Sequence, residues 1–241
     1  MNKNSTKLSA KCIALILVAS IFAIHLNAQS IAKLKFSQPK LVAGADGTIG
    51  ATYKFANVTP GVDAFITIEV INRGARLVNI DDSTIGNYEA WQPIVASPNA
   101  VGSSYIKWDI EFKTNRGEIY SFPSVNATAT DVRYDNANIS EFIGVNGQFG
   151  YDVSRGSSSL LTVAALSDPD NVNGDDPSDT NVLAFWPAKY HQSSDIGSND
   201  VSINYHFTNS SKMKFYTGSI VRSQSTASSR SHSIYFVDDA N

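Results

Sequence analysis

Between residues 52 and 71 polar and apolar residues alternate on either side of an Asn-Val-Thr-Pro-Gly turn. Ala64, Ile66, Ile68 and Val70 share one face at period two, and Asp63, Thr67 and Glu69 share the other, the pattern of a half-buried strand. Tyr53 and Phe55 mark one face of the preceding strand, while Pro60 and Gly61 supply the fixed φ and the permissive φ that a reversal needs. The pattern predicts a β-hairpin that organises the rest of the chain.

The same signal recurs in short bursts. Strands are predicted over 31–37, ending at Pro39, over 75–80, and over 106–113, with a long loop at 81–104. In 106–113, Ile106, Trp108, Ile110 and Phe112 alternate with Lys107, Asp109, Glu111 and Lys113, which assigns one face to the core and the other to water. Further strands are read over 118–122, 125–134, 141–145 and 148–153, the last two meeting at Asn146-Gly147, a strong two-residue hairpin signal. Residues 160–166 are apolar on both faces and read as a central strand. Beyond them come 182–186, an alternating run at 201–208, then 213–221 and 234–237. No amphipathic helix exceeds two turns, and no fixed-period repeat points to a solenoid. The fold class is therefore all-β, a two-sheet antiparallel β-sandwich of jelly-roll-like type. Ile66, Ile68, Trp108, Ile110, Val163, Ile203 and Tyr205 are its expected core.

The N-terminus adds a compartment. Lys3, Lys7 and Lys11 precede an apolar run from Cys12 to Ile24, and Ala28 stands at a cleavage point, so residues 1–28 read as a signal peptide and 29–241 as a single sandwich domain. The run is too short for a comfortable membrane span, and Lys11 before Cys12 is the wrong setting for lipidation. The expectation is export to the periplasm, cell surface or medium, with no membrane insertion of the mature chain. Cleavage removes the one cysteine, so the domain uses neither disulfides nor thiolate chemistry. Net charge is −3 before cleavage, too little to imply a nucleic-acid partner.

Candidate chemistry falls into three groups. The loop 167–180 places Asp168, Asp170, Asn173, Asp175, Asp176 and Asp179 close together, a density of oxygen donors suited to Ca2+, although Val172 and Asn173 stand where an EF-hand-like loop wants Asp or Asn and then Gly. The same loop also reads as a solvated turn punctuated by Pro169 and Pro177. A second cation group is available from Asp63, Asp81 and Asp82, with Asp131 and Asp135, wherever the fold brings them together. Tyr88 and Trp91 in the long loop, and Trp186 and Tyr190 around Pro187, are the candidate ligand-binding aromatics, since flat rings with a polar edge stack on sugars; plugging an open end of the sandwich is the competing role for both tryptophans.

Hydrolase signals are weak. His191, His206 and His232 form no i, i+4 metal pair, there is no G-x-S-x-G elbow, and Asp109 with Glu111 share a strand face with Lys107 and Lys113. No catalytic residue is assigned. Four N-x-S/T acceptors begin at Asn57, Asn126, Asn138 and Asn209, and Asp82-Ser83-Thr84 matches a short O-glycosylation acceptor.

Residues 36–153 resemble a β-rich module near the N-termini of exported, adhesin-like surface proteins of Bacteroidota. The resemblance is carried by Tyr53-Lys54-Phe55-Ala56-Asn57-Val58, Gly61-Val62-Asp63-Ala64, Ile80-Asp81-Asp82, Ala90-Trp91-Gln92-Pro93 and Glu141-Phe142. Where such modules carry an acidic turn, this chain has Asp131-Val132-Arg133-Tyr134-Asp135, and the arginine weakens an inherited cation site. The resemblance implies a non-catalytic cell-surface or matrix module that binds a glycan or protein, supported by calcium if the loop 167–180 holds one. The alternative is a carbohydrate-active enzyme or its carbohydrate-binding domain. The chain stops just after a strand without following repeats, which fits a stand-alone module or the head of a longer adhesin.

Overall fold

Pro60 and Gly61 reverse the chain as expected in the computed structural model, which describes residues 32–82, 84, 89–130, 132, 134–136, 138–147, 149–153, 161–166, 182–187, 202–223 and 228–238. In chain order the strands are β1 (Ala32–Lys33), β2 (Lys40–Ala43), β3 (Thr52–Thr59), β4 (Val62–Asn72), β5 (Arg76–Asn79), β6 (Ile94–Ser97), β7 (Gly102–Thr114), β8 (Phe122–Thr130) and β9 (Tyr134–Asn136). They continue as β10 (Ile139–Asn146), β11 (Gly150–Val153), β12 (Leu161–Leu166), β13 (Val182–Pro187), β14 (Ile203–Ser210), β15 (Lys212–Val221), β16 (Ser228–Ser231) and β17 (Ser233–Asp238). No helix occurs among the described residues, and every strand pairing is antiparallel.

The large sheet runs β12-β13-β10-β15-β7-β4-β3-β2, with β9 on β10; a five-stranded sheet runs β1-β17-β8-β14-β11; a three-stranded sheet runs β16-β6-β5. Only His232 separates β16 from β17, so the two smaller sheets form one layer broken at that residue, and together they face the large sheet. From β7 onward most connections cross between layers, the jelly-roll-like feature of the topology, the exceptions being β9 to β10, β12 to β13 and β16 to β17. The inner faces meet in a core of aromatic edges. Phe215 of β15 contacts Tyr205 and Phe207 of β14 and Phe236 of β17, and Phe112 of β7 contacts Phe122 of β8. Ile66, Ile68, Trp108, Ile110, Ile203 and Tyr205 are all buried.

Several expectations need correction. The predicted loop 81–104 contains β6 and the start of β7, and the first strand is cut to two residues, Leu34 and Phe36 entering the core beyond it. Pro39 stands immediately before β2 rather than closing a strand. β12 lies at the end of the large sheet's strand order, not at its centre. Asn146-Gly147 does not close a hairpin: β10 belongs to the large sheet and β11 to the other layer, with Gly147 at φ 121°. β10 finds its partners in β13 and β15, and Tyr151 of β11 lies against Phe185 across the layers.

The hydroxyl of Tyr205 is buried with no hydrogen-bond partner among the described residues, and burial pushes its pKa well above the usual phenol value. An unmet buried hydroxyl costs stability, so Tyr205→Phe is expected to hold or raise the unfolding free energy by about 1 kcal/mol. A urea titration showing a clear loss would mean that this hydroxyl does have a partner.

Candidate functional site

Trp91 is fully buried, which removes it as a sugar platform. It bridges Ile234 through two backbone hydrogen bonds, donates Nε1–H to the Ile80 carbonyl at 3.0 Å, and sets its ring edge-on to Trp108 at 5.2 Å. Trp108 in turn donates to Thr217 Oγ1 at 2.8 Å. The following residue, Gln92, acts as a clamp. Its N–H donates to Asp81 Oδ1, its Nε2 donates to the Asp82 carbonyl, and its Oε1 accepts from Ser233.

This clamp holds Asp81 and Asp82 side by side and nearly buried. Burial pushes the Asp81 carboxyl up to about 6, with the Gln92 N–H pulling the other way and the Asp82 charge adding to the rise. Asp82 Oδ1 accepts from both N–H and Oγ1 of Thr84. Of the second expected cation group, the side chains of Asp63, Asp81 and Asp82 are described. Asp63 lies on the outer face of the large sheet, ion-paired with Lys54 at 2.7 Å and accepting the Asn57 N–H. Burial raises its pKa, but the lysine and that N–H outweigh it, and the net shift is downward. No cluster of three metal-ligating side chains occurs among the described residues. Tyr88, Tyr190, Asp131 and the whole set Asp168, Asp170, Asn173, Asp175, Asp176 and Asp179 lie outside the described residues, and Asp135 is described only as part of β9.

Trp186 sits on β13 rather than in a loop. It is half-buried against an outer-face cluster of Tyr105, Phe142, Val182, Ala184 and Tyr216. The rings meet edge to face, Tyr105–Tyr216 at 5.5 Å and Tyr105–Phe142 at 6.0 Å. Two glycines, Gly144 beside Tyr216 and Val182 and Gly218 beside Tyr105, make room. A Cβ on Gly218 would stand 2.1 Å from the Ser104 carbonyl oxygen and 2.7 Å from Tyr105 Cβ, so β7 and β15 could not keep their spacing. Gly218→Ala is expected to cost about 1–3 kcal/mol as an overpacking change. A melting midpoint equal to the parent's would show that the sheet yields there without cost.

Lys107 was expected in water, and it is buried instead. Its Nζ lies 3.1 Å from Glu69 Oε2 and 5.9 Å from the Tyr216 ring centre. Along the same face Lys214 joins Glu69 at 3.2 Å, Lys212 meets Asp109 at 2.7 Å, and Lys113 meets Glu111 at 2.6 Å. Thus the two carboxylates nearest to a glycosidase pair are each held by a lysine. Burial raises the Asp109 pKa against the pull of Lys212, whose own pKa is raised by its hydrogen bond to Asp109.

The outer face of the five-stranded sheet is different, and it was missed as a unit. His206 on β14 lies with Nδ1 2.6 Å from Asn126 Oδ1 on β8 and Nε2 2.8 Å from Asp152 Oδ2 on β11. Beside it Thr128 donates to Asn204 Oδ1 at 2.9 Å. The alternation at 201–208 already placed Asn204 and His206 on one face, but their partners are far away in sequence.

No protein-family model matches the chain, and no curated protein matches it. Among solved structures it is similar to the N-terminal domain of a Streptococcus gordonii adhesin, at a TM-score of 0.49 and 13% identity, over 87% of this chain and 56% of that one.

Proposed function

We propose that this chain is an exported, non-catalytic module of the cell surface or matrix that adheres to a glycan or a protein. The supporting observation is how its carboxylates are spent. Asp63, Glu69, Asp109 and Glu111 are each paired with a lysine, so the carboxylates on the outer face of the large sheet are committed to holding that face together. What remains for recognition is area: a sheet face carrying hydroxyls, amides and one histidine. The export signal read from residues 1–28 supplies the location. The experiment is labelling of intact cells with an antibody raised against residues 29–241, together with competition by the soluble domain for attachment of those cells to their substratum. Labelling and competition support adhesion; a signal seen only after cell lysis counts against it.

A further inference from the structure

We propose that the outer face of the five-stranded sheet binds an uncharged polysaccharide chain, a reading that rests on the adhesive function above and names its ligand class. Strand register sets two parallel rows across this face. One runs Asp152, Asn204, Thr128, Tyr235, and the next runs Gly150, His206, Asn126, Val237. Adjacent strands lie about 4.8 Å apart, so each row is a ladder of evenly spaced groups.

The groups are pre-ordered by one another. Thr128 occupies Asn204 Oδ1, which leaves the Asn204 amide nitrogen as its outward donor. His206 is fixed between Asn126 and Asp152, with 36% of its side chain and 79% of that of Asp152 exposed. Side chains held in place by their neighbours lose little freedom on binding.

Charge distinguishes this face from the other. The outer face of the large sheet carries Lys54, Lys107, Lys113, Lys212 and Lys214 against four carboxylates. The two rows carry only Asp152, set against His206, and Lys33, whose register on Val237 places it at the β1 end of the second row. Solvated sheet faces ordinarily carry charges of both signs. A near-neutral ladder of amides and hydroxyls matches a ligand that both donates and accepts hydrogen bonds and has no charge to satisfy. Its repeat suits an extended polymer rather than a single sugar, which a pocket would have to enclose. Tyr235 adds an aromatic ring to the first row.

Gly150 provides a test that spares the fold. A Cβ there would meet only His206 Cβ at 3.6 Å and Cδ2 at 3.7 Å, ordinary contacts, so a larger side chain can cover the imidazole from an exposed edge strand. The measurement is affinity electrophoresis of residues 29–241 in gels containing dextran, mannan or mixed-linkage β-glucan, with heparin and alginate as anionic probes. Retardation by a neutral polymer is expected. Asn204→Ala and Gly150→Leu should each weaken it about tenfold, the equivalent of roughly one lost hydrogen bond, while Lys212→Ala on the opposite face leaves it unchanged. Melting midpoints confirm folding, and Thr128→Val, which removes the hydroxyl that orients Asn204, serves as the substitute and should likewise weaken retardation where Asn204→Ala unfolds. Retardation that both face variants leave intact, retardation by the anionic polymers alone, or none by any neutral polymer would each overturn the assignment. Adhesion itself stands or falls separately, on the cell-surface competition.

Discussion

Trp91→Ala is expected to remove about 3–5 kcal/mol of stability, the range for emptying a large buried aromatic site. The indole is fully buried, lies edge-on to Trp108 and satisfies the Ile80 carbonyl, so truncation opens a cavity and orphans a buried acceptor together. Against a total of roughly 5–15 kcal/mol for a domain, this is enough to leave the protein barely folded at 37 °C. A urea denaturation series reads it directly. An unchanged midpoint would restore Trp91 to the surface and to the sugar-stacking role that its loop position first suggested.

The second large effect is a pair of opposed acid responses. Burial, with Arg230 beside it, lowers His232 from 6.5 to about 3, so between those values the unfolded chain binds a proton that the folded chain refuses. Stability therefore falls as pH drops through that window, by at most about 4–5 kcal/mol at about 1.4 kcal/mol per pH unit. Asp81 works the other way. Its folded value of about 6 lies above the ordinary 3.8, so the folded chain holds the extra proton and stability rises as pH drops from 6 to 3.8, by at most about 3 kcal/mol. The two nearly cancel above pH 4, and His232 acts unopposed below it. Two substitutions separate them. Asp81→Asn keeps an oxygen for the Gln92 N–H and should be more stable than the parent at pH 7 but lose more on acidification. His232→Gln should match the parent at pH 7 and retain at least about 2 kcal/mol more at pH 3.5. Denaturant midpoints at pH 3.5, 5 and 7 decide it, since curves parallel to the parent's would show that neither group is linked to folding.

The hairpin at 52–71 was legible because its pattern and its turn are local: period-two apolar residues and a Pro-Gly reversal lie within one short stretch. Asn146-Gly147 was half legible. A turn signal reports that a strand ends, and says nothing about which layer the next strand joins; β10 gains more by pairing with β13 and β15. Lys107 shows a second limit. Alternation put it on the solvent side, but Gly218 and Gly144 let Tyr105, Tyr216 and Phe142 pack over that same side, and the lysine is buried with Glu69 as its partner. The proposed binding face combines residues 54 and 80 positions apart, such as Asp152 and Asn126 around His206. Each strand showed its polar side; only register could assemble the ladder.

The central claim, adhesion without catalysis, is tested most directly by incubating residues 29–241 with dextran, mannan and mixed-linkage β-glucan, then measuring bound protein and released reducing ends in the same samples. The account predicts protein retained on a neutral polymer with no release over hours. Reducing ends that increase with time and with protein concentration would contradict it.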